Sequence, residues 1–149
     1  LVYLVPDFTS DNLVISGTVN IGTFCGTFVH MNWGHWFSNM IFLIPVWIYA
    51  DKLTSKPFIT IIVLANLLLT GIYGLLSEQR LCGLSGVVFM LIGLTAILGN
   101  WLMFGFAALL FFSEFMLLRE EDGMSHGAHI IFFILGIGIG IAKCAFAVF

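Results

Sequence analysis

Ser85 sits between glycines in Gly83-Leu84-Ser85-Gly86, at the start of an apolar run that continues to Gly99. Two other apolar runs carry histidine near the corresponding end, His30 and His35 in one, His126 and His129 in the other. Asn39 follows His35 by four residues, which puts both on one helix face. A hydroxyl, imidazoles and an amide are what serine-type acyl transfer uses as nucleophile, general base and oxyanion donors. Each group also has a purely structural reading. The glycines, continued by Gly93, form a patch that lets helices approach, and His35 with Asn39 can glue helices by hydrogen bonds. A backbone carbonyl can satisfy His129.

Composition fixes the solvent. Of 149 residues, 60% are hydrophobic and 9% charged, far below the roughly 25% charge of a soluble domain. So few charges cannot cover a water-facing surface, and membrane lipids are the expected surroundings. A net charge of −3 with five Lys+Arg offers no basic patch, so nucleic acid is excluded as a partner. Cys25, Cys82 and Cys144 match no metal-ligand spacing, and no H-E-x-x-H occurs. No metal or cofactor is expected.

The expected fold is an all-α, polytopic membrane helix bundle. Five runs are read as spans, at about 30–50, 58–76, 81–99, 101–118 and 124–142, within a single domain covering 1–149. Each is about 18–21 residues, enough to cross a bilayer. Residues 1–29 are read as an interfacial loop region broken by Pro6, Asp7 and several glycines. Pro45 is expected to kink the first span, and Gly99-Asn100 to form a tight turn. Spans alternate in direction, so the first, third and fifth start on one side. His35, Ser85 and His129 then lie one to two turns in, a depth of roughly 5–10 Å. The opposite side carries Lys52, Lys56 and Lys143 against Arg80 and Arg119 on the near side. The positive-inside rule places the lysines in the cytoplasm and the site outward.

Glu114 is the one acid well inside a span. It is expected to snorkel to the interface or pair with Arg119; orienting His129 is the alternative. His30 and His126 are expected near the water boundary, with no task for His126. A histidine at the depth of His129 is costly without a partner, so a functional role is its default reading.

His30-x4-His35-x3-Asn39, Gly83-Leu84-Ser85-Gly86 and Gly127-Ala128-His129, in order on three spans, resemble the rhomboid family of intramembrane serine proteases. The resemblance implies a serine endopeptidase with a Ser85–His129 dyad that needs no carboxylate. His35, Asn39 and the Ser85 N–H would form the oxyanion hole, with His30, Gly83, Gly86 and Phe89 in support. The implied substrate is a transmembrane protein cut near the end of a helix, at an outward-facing site in a bacterial inner membrane. The family core has six spans, and the first is expected to lie outside this chain. Phe28-Val29-His30-Met31-Asn32-Trp33 looks like the rhombosortase branch, which is associated with Gly-Gly C-terminal sorting tails. Three places depart from the family pattern. The Trp-Arg pair before the first histidine is absent. Phe89 replaces a common tyrosine, and can still pack under His129. Phe132 replaces a glycine and is expected to hold its helix away from the serine.

Two rival readings stay open from the residues. One is a catalytically silent substrate-binding or quality-control protein. The other is a haem-binding electron-transfer subunit using His35 and His129.

Overall fold

An apolar run in a bilayer must satisfy its own backbone, and a helix does so within one segment. The computed structural model describes residues 19, 26–30, 33–77, 81–118 and 125–146. Among these, a 3-10 turn at Gly26–Phe28 precedes five helices: α1 (Trp33–Leu53), α2 (Lys56–Ser77), α3 (Ser85–Leu98), α4 (Trp101–Met116) and α5 (His126–Phe146). No strand element occurs among the described residues. Most of the interfacial loop read at 1–29 lies outside them.

The helices are not uniform spans. By length and composition, α2 and α5 are apolar enough to cross a membrane. α1 has 21 residues but is diluted by His35, Ser38, Asn39, Asp51 and Lys52, and it runs on through Pro45. α3 and α4 have 14 and 16 residues, or about 21 and 24 Å against a hydrocarbon core of roughly 30 Å. The expected third span, 81–99, is therefore shortened at its start, where Gly83 has φ +95°, outside the helical region. The short α3 is tolerated because it meets protein rather than lipid: Gly86 to Val88 and Met90 to Ala96 are all buried.

α3 is the hub. It packs most extensively on α5 and also touches α1, α4 and α2. Small residues set the α3–α5 distance. A Cβ built at Gly93 would lie 2.1 Å from the Phe133 carbonyl oxygen, and one at Gly136 would lie 2.0 Å from that of Met90. Only glycine lets two helix backbones come this near. Between α3 and α4 the turn is as tight as expected, and Asn100 caps α4 by accepting the Met103 N–H at 3.0 Å. On the outer faces Leu64 and Leu68 of α2, Leu109 and Phe112 of α4, and Ile134 and Ile141 of α5 are exposed. Such a belt suits lipid and would be an aggregation surface in water.

Candidate active site

The site lies where α1, α3 and α5 begin and α4 ends. Ser85 is the first residue of α3 rather than one or two turns in. Its position follows from Gly83, whose positive φ turns the chain into the helix. The first amides of a helix have no intrahelical partner and face outward from its start. Along α3, the Val88 N–H bonds the Leu84 carbonyl at 3.1 Å, leaving the Ser85, Gly86 and Val87 amides ahead of it in that ladder.

α5 brings His129 to Ser85, with Nε2 2.9 Å from Oγ. Phe89, one turn along α3, stacks beneath the imidazole with ring centroids 4.5 Å apart and planes 10° from parallel. The ring is thus held flat by an apolar face while both its nitrogens stay engaged. The other nitrogen, Nδ1, lies 2.7 Å from Glu114 Oε2, and the same oxygen lies 2.6 Å from His126 Nδ1.

On the far side of Ser85, α1 supplies two nitrogen-bearing side chains. A Cβ built at Gly83 would lie 3.0 Å from His35 Nε2 and 3.2 Å from Asn39 Nδ2, so both border the space above Gly83. Asn39 is buried, and its Nδ2 has no hydrogen-bond partner among the described residues. A buried amide donor left unmade costs about 1–3 kcal/mol, a cost that an incoming oxyanion would remove. His30 stands edge-on to His35 at 5.2 Å. The turn at Gly26–Phe28 is tied to the residues just ahead of α3, where Gly26 O accepts the Gly83 N–H at 3.1 Å.

Several expectations change on this geometry. His30 is 2% exposed, not at the water boundary. The Gly26–Gly83 bond draws its segment over the site, and its Nδ1 pairs with the Phe28 carbonyl at 3.3 Å. His126 is buried rather than at the boundary, because Glu114 ties it inward. Glu114 does not point away to solvent: it faces the two histidines. Arg119, its other expected partner, lies outside the described residues. Phe132 does not splay α5 from α3. Its ring fills the space that Gly86 leaves open, 3.1 Å from where a Cβ would sit there, and meets Tyr73 edge-on at 6.4 Å. Of these pairings the sequence offered Glu114 with His129 as the alternative reading, which the 2.7 Å contact favours; the i, i+3 spacing of His126 and His129 puts both on one face of α5.

Glu114, His126 and His129 bring one ligand atom each within 4.8 Å of one another, a His₂-carboxylate set of a kind that zinc uses. Glu114 Oε2 is shared by the two Nδ1 atoms, at 2.6 and 2.7 Å. A haem shared by His35 and His129 would have to break one of the two bonds of His129, to Ser85 or to Glu114, since both its nitrogens are taken.

An apolar helical bundle with a serine hydroxyl bonded to a buried imidazole at a helix start defines a class: a helical membrane protein with a serine–histidine site. Residues 21–146 match the family model described as the Rhomboid domain, and the chain belongs to the rhomboid family. No curated protein and no solved structure matches the chain.

Proposed function

We propose that the protein is an intramembrane serine protease that hydrolyses a peptide bond in or near a transmembrane helix of its substrate. The observation that carries this reading is the 2.9 Å contact between His129 Nε2 and Ser85 Oγ. Oγ attacks the scissile carbonyl carbon as its proton passes to Nε2. The carbonyl oxygen becomes an oxyanion, and Nε2 then protonates the leaving amine as the C–N bond breaks. Water repeats the sequence on the acyl-enzyme and restores Ser85. Asn39 Nδ2, His35 Nε2 and the Ser85 N–H are the oxyanion donors in this reading. Low-dielectric walls make each worth more than it would be in water.

A helical substrate hides its carbonyls in i→i−4 bonds, so residues that weaken a helix favour cleavage. The bundle is read as five spans with the site facing outward from a bacterial inner membrane. The segment Phe28–Trp33 supports the rhombosortase branch as the narrower reading, with substrates bearing a Gly-Gly tail.

The direct test is proteolysis in proteoliposomes. A reporter membrane protein with a glycine-containing helix end should be cut at one site near the bilayer surface. Intact reporter after prolonged incubation with folded enzyme, under conditions where a rhomboid protease of known activity cuts it, would count against proteolysis.

The oxyanion role has its own test. Asn39→Ala should lower turnover by roughly 10²–10³-fold if the amide acts on the transition state, with little change in expression or helicity. Unchanged turnover with a lower melting temperature would assign Asn39 to helix packing alone.

A further inference from the structure

We propose that Glu114 completes the site as a positioning residue, converting the Ser85–His129 pair into a serine–histidine–carboxylate relay braced by His126. The inference rests on the proteolytic reading above and deepens it.

Glu114 Oε2 lies 2.7 Å from His129 Nδ1 and 2.6 Å from His126 Nδ1, while His129 Nε2 faces Ser85 Oγ at 2.9 Å. An ionised carboxylate only accepts, so both Nδ1 atoms carry the protons of these bonds. That fixes the tautomer of His129. With its proton on Nδ1, Nε2 presents a lone pair to the serine, and the Ser85 hydroxyl donates to it. This is the form a general base needs; the opposite tautomer would present an N–H to Oγ and could not take its proton.

The charge has a second effect. When the Ser85 proton reaches Nε2, the ring carries protons on both nitrogens and a positive charge. Glu114 faces that charge through the Nδ1–H and lowers its cost, without itself receiving a proton. The proton goes on from Nε2 to the leaving amine.

A carboxylate among spanning helices is expensive unless it is paired. Two N–H donors from consecutive turns of α5 meet that need at one oxygen. A tie that only fastened α4 to α5 would be complete with His126 alone. Here the second bond goes to the ring that also holds the serine. His126 stands at right angles to His129, with centroids 6.0 Å apart, so it braces the carboxylate without crowding the reacting ring.

The test uses the full chain in lipid bilayers with ¹⁵N-labelled histidine. Ring nitrogen shifts report which nitrogen carries the proton, a readout that a fastening role would not move. In the Ser85→Ala protein, which performs no acyl chemistry, His129 should show the Nδ1–H form. Adding Glu114→Ala should shift it toward the Nε2–H form. In protein retaining Ser85, Glu114→Ala should slow fluorophosphonate labelling of Ser85 by roughly 10²–10⁴-fold. Glu114→Gln, which keeps shape and an acceptor but not charge, should label at least about ten-fold slower than wild type. It also stands in if the alanine variant fails to fold. A wild-type labelling rate in Glu114→Gln, or an unchanged Nδ1–H signal in Glu114→Ala, would overturn the proposal. A wild-type protein that shows the Nδ1–H signal but takes no label would defeat the proteolytic reading and leave the positioning of His129 standing.

Discussion

Ser85→Ala is expected to abolish cleavage, and His129→Ala to come close to it, with losses of about 10⁴–10⁶-fold in turnover. Groups that act as a unit are lost together, so the double variant should be scarcely worse than Ser85→Ala alone. That non-additivity separates a working pair from two independent packing residues, whose effects would add. Ser85 is small and half-buried, whereas His129 is buried against Phe89 with both ring nitrogens bonded. Helicity should therefore stay near wild type in both variants and thermal stability in Ser85→Ala, while His129→Ala should lower the melting temperature. The measurement is reporter cleavage in proteoliposomes, with circular dichroism as the check on folding. Additive partial losses, or a collapse of helicity in Ser85→Ala, would return these residues to structural duty.

Gly136→Ala is the second large effect, and it lies away from the chemistry. The new Cβ would meet the Met90 carbonyl oxygen at 2.0 Å, with the Leu94 and Met90 backbone at 2.9 Å. Backbone cannot swing aside as a side chain can, so α5 must move off α3. Overpacking of this kind costs about 1–3 kcal/mol or more, against a gain of at most about 1 kcal/mol in helix propensity for replacing glycine by alanine. The same displacement pulls His129 from Ser85, and a shift of about 1 Å at a reacting pair can cost roughly 10²-fold in rate. Both melting temperature and turnover should fall. Gly138→Ala is the control on the same helix, since nothing lies within 4 Å of its added Cβ; it should leave turnover unchanged and the melting temperature unchanged or slightly raised. Equal behaviour of the two variants would remove the close approach of α3 and α5 from the account.

These effects show which parts of the molecule the sequence could reveal. Helix positions were legible because long apolar runs are separated by short polar breaks. The near coincidence of Ser85, His35 and His129 at one end followed from counting alternating spans. What was hidden depends on contacts between distant segments. Gly83 stood out as part of the serine motif, but only its φ of +95° shows that α3 starts at Ser85. Glu114 lies 15 residues from His129, and no local rule distinguishes a side chain turning inward to an imidazole from one reaching for Arg119. His30 looked solvent-accessible because nothing in its own segment shows that Gly26 is tied to Gly83 across the site. Phe132 looked obstructive because its volume was counted without the room that Gly86 and Tyr73 provide.

The central claim is that Ser85 is a nucleophile made reactive by His129, and covalent trapping tests it most directly. A fluorophosphonate forms an adduct where a neighbouring base removes the hydroxyl proton, and the phosphorus centre mimics the tetrahedral intermediate. Intact protein in membranes, digested and read by mass spectrometry, should carry one adduct, on Ser85, with Ser38 and Ser125 unmodified and the adduct lost in His129→Ala. Folded wild-type protein that stays unmodified at Ser85 over hours, while a rhomboid protease of known activity labels beside it, would contradict the account.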